Sequence, residues 1–248
     1  MLKMPGRTPK LNSRALMRTR LLLGDEAMPR LANAHVLICG VGGVGSWAAE
    51  ALARSGIGRI TLLDFDKVVS SNINRQAHAS GKTLGRRKTN AMKERIQQLA
   101  IGNEVAAMNI HLTPESVGDI LAAGDYDAVV DAIDERPAKL QLLQECVERK
   151  IPVVSSMGAA SKLSSEGITS GCLFESIGCP LAKLVRKELR RRGITGGIRC
   201  VFSPAQPKDT AGEPLGNRGE RRPLGSLVTV TAAFGFRCAE EVINILIG

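Results

Sequence analysis

Between positions 64 and 88 the chain gathers acids, amides and cations: Asp64 and Asp66 in "DFD", Asn72, Asn74, Arg75 and Gln76 in "SNINRQ", and Lys88 in "GRRKTNAMKERI". An arginine and a lysine brought to one place suit a triphosphate, whose charge must be neutralised while an oxygen nucleophile attacks phosphorus. A further carboxylate, Asp134, ends "VVDAID" and fits Mg2+ bridging phosphate oxygens. Upstream, "VLICGVGGVGSWAAEAL" runs from a strand-like apolar stretch through Gly40, Gly42, Gly43 and Gly45 into an alanine-rich helical run. Glycines there let the backbone turn sharply and approach a phosphate with no Cβ in the way, and the helix N-terminus presents free N–H groups to it. Asp64 falls about twenty residues past the last glycine, at the end of a second strand, where a carboxylate binds ribose hydroxyls. A nicotinamide enzyme shares the glycine turn and the ribose carboxylate but has no use for the cations that follow. The set reads as ATP.

The elements that must position these residues follow from periodicity. "HVLICG", "RITLLDFD", "EVAAMNIHL", "DAVVDAID" and "IPVVSS" read as strands, separated by helical runs such as "SWAAEALARSG", "KTNAMKERIQQLA" and "RPAKLQLLQECVERK". Such alternation predicts right-handed β–α–β units in a doubly wound α/β fold. Ligands in these sheets lie beyond the C-terminal strand ends, where Gly40, Asp64, Asp131 and Asp134 all fall. After residue 156, "KLSSEGITSGCLFES" alternates like an antiparallel hairpin, so the mostly parallel, Rossmann-like sheet is expected to continue into a mixed antiparallel C-terminal part. A basic helix from about Cys179 to Arg192 follows, then a Pro, Gly and charge-rich loop over 203–223, and "SLVTVTAAFGFRCAEEVINILIG" begins like a strand and ends like an amphipathic helix. The expected organisation is one unit over 1–248: an N-terminal helical arm at 1–33, a nucleotide-binding core at 34–156 and an acceptor side at 157–248.

With 248 residues and 44% hydrophobic content the chain can bury a full core, which excludes disorder of the whole. No run of 18 apolar residues and no secretory apolar centre in "MLKMPGRTPKLNSR" are found, so a cytoplasmic protein without a membrane span is expected. The six cysteines are scattered with no C-x-x-C pair, which argues against disulfides and structural zinc. The net charge of +10 is uneven: residues 1–30 carry seven basic and two acidic side chains, and residues 183–222 eleven and four. Clustered cations favour a polyanion such as RNA, or simply form a solvated face in "AKLVRKELRRR"; charge patterning leaves both open.

As a set, GxGGxG at 40–45, the acid pair Asp64 and Asp66, "SNINRQ", a lysine thirteen residues after Arg75, and "DAID" resemble the ubiquitin-activating superfamily of ThiF/MoeB-like adenylating enzymes. Within it, "GVGGVGSWAAEALARSGIGRITLLD", "NINRQ", "DAID" and "CVFS" are most similar to the tRNA threonylcarbamoyladenosine dehydratases, a likeness continued more loosely by "LGSLVTVTAAFGF". The resemblance implies ATP-dependent ring closure on tRNA carrying threonylcarbamoyladenosine, with no DNA partner. Its carboxylate attacks the α-phosphate of ATP, and an internal nucleophile then displaces AMP. Carried over by residue, Gly40, Gly42, Gly43 and Gly45 cradle the nucleotide, Asp64 binds ribose, Asp66 is a further nucleotide-binding residue, Asn72, Arg75 and Lys88 contact phosphates, Gln76 supports Arg75, and Asp134 holds Mg2+. Arg18 in "RTRLLLGDEA" matches an arginine that a neighbouring subunit inserts, which implies a homodimer. A sulfur-transfer partner such as a cysteine desulfurase also belongs to this picture.

The chain departs from the wider family in lacking zinc-binding C-x-x-C pairs, which argues against the sulfur-carrier branch, and in having Cys179 in "GCPLA" where the dehydratases carry an acid. Cys179, at a helix start, is the best-placed thiol for reactivity, whereas Cys200 reads as core. His35 and His111 border strands and read as structural, His78 lies near the site without an evident partner, and Trp47 reads as packing. Activation of a ubiquitin-like sulfur carrier's C-terminal carboxylate is the alternative activity. A nucleotide-binding scaffold or a nicotinamide oxidoreductase would bind nucleotide without releasing pyrophosphate.

Overall fold

The computed structural model describes residues 8–208 and 224–248. The sequence reading of 203–223 as a long loop therefore lies mostly outside the described residues, as does the start of the N-terminal arm. Among the described residues seven strands form one sheet: β1 (His35–Cys39), β2 (Arg59–Leu63), β3 (Glu104–Met108), β4 (Ala128–Asp131), β5 (Val153–Ser156), β6 (Thr169–Cys172) and β7 (Ile198–Phe202). Their order is β3-β2-β1-β4-β5-β7-β6, parallel except for β6 against β7. The helices are α1 (Met17–Leu23), α2 (Ala27–Asn33), α3 (Gly45–Arg54), α4 (Lys88–Gln97), α5 (Val117–Ala122), α6 (Arg136–Glu148), α7 (Pro180–Arg191) and α8 (Val228–Ile247).

Every residue of β1 is buried, as a central parallel strand covered on both faces requires. Successive side chains alternate between two cores. Val36, Ile38, Ile60, Leu62, Val130 and Val154 pack with Leu52, Met92 and Phe234. Leu37, Cys39, Val129 and Val153 face the other way, onto Leu142, Leu143, Val185 and Leu189. The strand order reverses between β1 and β4, and the register Leu63, Cys39, Asp131 brings the ends of β2, β1 and β4 level. A crevice opens beyond those ends.

Two local expectations are corrected. The alternating stretch after residue 162 holds one strand, β6, and its antiparallel partner is β7, reached through α7, so it is not a hairpin. The "SLVTV" stretch is not a strand: α8 is helical from Val228. Its β-branched residues favour a strand locally, but packing of Val230, Phe234, Cys238 and Val242 into the core decides the matter. The helix crosses α3 at Gly235, where a Cβ would meet the Val44 carbonyl oxygen at 2.5 Å and the Ala48 nitrogen at 2.9 Å. Among the described residues no helix is long and apolar enough to cross a membrane.

Candidate active site

A cavity of about 1020 Å3 occupies the crevice. Gly40, Gly42 and Gly43 form part of its wall, with Asp64 and Asp66 beyond β2. Asn72, Arg75, Gln76 and Lys88 line it from the segment leading into α4, and Asp134 from the turn after β4. Ten of the residues singled out by sequence thus share one cavity. Gly45 and Arg18 do not line it. Gly45 starts α3, where a Cβ would stand 1.8 Å from the Gly40 carbonyl oxygen, so its role is to let the loop fold back on the helix. Arg18 is exposed on α1, a helix with no buried residue.

The glycine loop is held in place by Asp64. One carboxylate oxygen accepts the Val41 N–H at 2.8 Å and the other the Asp66 N–H at 2.8 Å, tying the β1 and β2 exits together. Each oxygen keeps a second lone pair for a ligand hydroxyl. Gly40 adopts φ +87°, and a Cβ there would lie 2.7 Å from the Ala132 carbonyl oxygen; only glycine suits both demands.

The cations are held differently. Lys88 opens α4 with its side chain nearly buried and its Nζ 2.6 Å from Asp66 Oδ2. Arg75 donates to the Ser71 carbonyl oxygen at 2.7 Å and to Asn74 Oδ1 at 3.0 Å, both neutral, and burial lowers its pKa from the ordinary arginine value. A guanidinium in that setting has its charge available to an incoming anion. Asn72 Oδ1 accepts the Val69 N–H at 3.1 Å, which leaves the amide N–H groups as the donors the side chain can offer the cavity. Gln76 is buried, and its Oε1 has no hydrogen-bond partner among the described residues.

"DAID" divides its two acids. Asp131 is fully buried, 2.6 Å from the equally buried Lys139 Nζ, and accepts the Ser155 hydroxyl at 2.5 Å. Lys139 also donates to the Ile133 carbonyl oxygen at 3.1 Å. This buried pair fixes the turn and leaves Asp134 exposed at the cavity. A single carboxylate is a donor set that Mg2+ accepts, since that ion keeps several waters and takes its other ligands from phosphates. Among the described residues no group of three or more acids, histidines or cysteines could hold a metal by itself.

Other residues contribute that sequence reasoning did not assign. Trp47 is more than packing: its Nε1 donates to the Arg75 carbonyl oxygen at 3.0 Å, fixing the backbone that carries that arginine. The signal was present, because a mostly buried indole N–H seeks an acceptor. Ser46 Oγ accepts the Ala77 N–H at 3.1 Å from the same segment. His111, expected to be structural, stands at the cavity with Nε2 3.0 Å from Glu135 Oε2 and its ring 4.2 Å from that of Phe65. At the other end Lys162 and Cys179 line the wall, both buried. Cys200 is buried in the core, which pushes its thiol up to about 12.

The ThiF family model matches residues 13–248. The chain belongs to the ThiF family. Curated relatives of this ThiF-family chain include the tRNA threonylcarbamoyladenosine dehydratase of Bacillus subtilis, 43% identical over 190 residues, covering 77% of this chain and 74% of that protein. The protein of the same name from Escherichia coli is 37% identical over 236 residues, covering 88% of each. The crystal structure of the Escherichia coli tRNA N6-threonylcarbamoyladenosine dehydratase in complex with ATP superposes with a TM-score of 0.86 at 35% identity, covering 94% of each chain. The fold and the family read from the glycine loop, "SNINRQ" and "DAID" are those of these relatives.

Proposed function

We propose that this chain is an ATP-dependent enzyme that adenylates the carboxylate of threonylcarbamoyladenosine in tRNA and closes the group into a ring with loss of AMP. The observation that carries the reading is that one cavity joins a phosphate-type glycine loop, a ribose-type carboxylate and two cations. Gly40, Gly42 and Gly43 let the backbone approach the phosphates, and Asp64 accepts the ribose hydroxyls. Arg75 and Lys88 neutralise charge as a carboxylate oxygen bonds to the α-phosphorus and the bond to pyrophosphate breaks. Asn72 donates its amide to a phosphate oxygen, and Gln76 buttresses Arg75. Magnesium at Asp134 would supply further neutralisation of phosphate charge. Adenylation turns a poor leaving oxygen into AMP, which an internal nucleophile of the same group then displaces from the acyl carbon, losing one proton.

Arg18 completes the site from a second copy of the chain in this reading. Its helix, α1, exposes Met17, Leu21 and Leu22, an apolar face suited to a homodimer. The decisive experiment measures pyrophosphate release from Mg·ATP in two arms, one with tRNA carrying threonylcarbamoyladenosine and one with a sulfur-carrier protein ending in Gly-Gly. Release in the tRNA arm alone is expected. Release only with the carrier protein would replace this reading by the sulfur-carrier one.

A further inference from the structure

The cavity extends past the nucleotide-type residues to an end that the adenylation chemistry above leaves unused. There Lys162 reaches the cavity wall although its residue is only 4% exposed. Its Nζ donates to two backbone carbonyl oxygens, that of Ser203 at 3.4 Å and that of Ala205. An ammonium has three donors, so among the described residues one is left over. No carboxylate among the described residues pairs with it, and burial lowers its pKa from the ordinary lysine value, with the Cys179 thiol opposing. A desolvated cation without a counter-charge is a costly arrangement unless an anion arrives to complete it. The surroundings agree in sign. Cys179, Pro180 and Leu181 line the same cavity, so the N-terminal, positive end of the twelve-residue α7 meets it. Lys208 lines it too, and its backbone N–H donates to the Ser161 carbonyl oxygen at 2.7 Å, closing the chain over the Ser161–Lys162 segment.

We propose that Lys162 is a substrate-binding residue that receives the acceptor's carboxylate and holds it beside the triphosphate. The inference rests on the proposed function, which requires an anionic nucleophile to approach an anionic electrophile. Unaided, the two repel; a buried cation at the acceptor end offsets that repulsion and orients the attacking oxygen. Arg75 and Lys88 cannot fill this role while they face the phosphates.

The test compares binding of tRNA carrying threonylcarbamoyladenosine with binding of the same tRNA lacking the modification, for wild type, Lys162→Met and Lys162→Arg. Wild type is expected to prefer the modified tRNA, and Lys162→Met to lose about 10- to 100-fold of that preference, the worth of a charge-assisted hydrogen bond. Lys162→Arg should recover part of it, and the Kd for Mg·ATP should stay within about twofold throughout. A preference unchanged in Lys162→Met would overturn the role of Lys162 and leave the proposed function standing. A wild type blind to the modification would overturn both. Because replacing a buried lysine also risks the fold, a second measurement uses the unaltered chain with 13C-labelled lysine. The Lys162 Cε resonance, assigned from its absence in Lys162→Arg, should shift on adding the free threonylcarbamoyl nucleoside and not on adding adenosine; no shift would reject the contact.

Discussion

Arg75 and Lys88 share a cavity wall but sit in opposite electrostatic settings, one on neutral acceptors and the other on Asp66. Both should matter most when charge builds on the phosphates. Arg75→Ala and Lys88→Ala are each expected to lower kcat by about 100- to 1,000-fold with the melting temperature nearly unchanged; wild-type turnover in either would remove that residue from the proposed site. His78 makes a different statement. It is 3% exposed, neither ring nitrogen has a partner among the described residues, and its pKa is lowered to about 4 by burial first, then by Lys88 and Arg95. Above its ordinary pKa of 6.5 the ring is neutral whether the chain is folded or not, and this contribution is fully present. As the pH falls from 6.5 towards 4 the unfolded chain takes the proton first, so stability declines across that window. Urea midpoints measured at pH 7 and pH 5 should therefore differ less in His78→Phe than in wild type; an equal difference would show that the ring does not titrate in this way. At this scale the sequence revealed residue types suited to phosphate but not their supports. Asp131 and Asp134 look alike in "DAID", and only burial beside Lys139 separates a structural acid from one facing the cavity.

Elements that follow from local periodicity were legible, and those made by distant contacts were not. The strands β1 to β5 and the helices between them are continuous apolar or 3.6-periodic runs, whereas β6 finds its partner only after α7 has intervened. The segment opening α8 carries strand-type residues whose helical state is set by the surfaces it fills. Gly235 shows how tightly it fills them. In an ordinary helix interior, replacing glycine by alanine gains about 1 kcal/mol. Here the new Cβ would press on the Val44 carbonyl oxygen and on Trp47 Cβ at 2.9 Å, so overpacking wins. Gly235→Ala is expected to destabilise by about 1–3 kcal/mol in urea unfolding and to weaken ATP binding through Val44 and the adjacent Gly43. A stabilised variant would mean that α8 can back away from α3 freely.

For the molecule as a whole, the excess positive charge lies outside the sheet core, and α7 carries much of it. Its Ala182, Val185 and Leu189 are buried, while Lys183, Lys187 and Arg190 lie exposed at helical spacing. Arg192 is engaged with Gln141 and Gln144 of α6. Glutamate at positions 183, 187 and 190 together should weaken tRNA binding and reduce the slope of log K against log salt by roughly 2; an unaltered slope would return this face to plain solvation. Finally, α8 backs α3, β4, β5 and β7, and its Thr231 touches the position of Gly43. On a ribosome the segments that line the crevice from Gly40 to Asp134 emerge long before residues 228–247 do. Until that stretch is synthesised, the part of the sheet face formed by β4, β5 and β7 lacks the helix that packs on it and the glycine loop lacks the contact of Thr231, so apolar surface is exposed in the nascent chain before the crevice is complete.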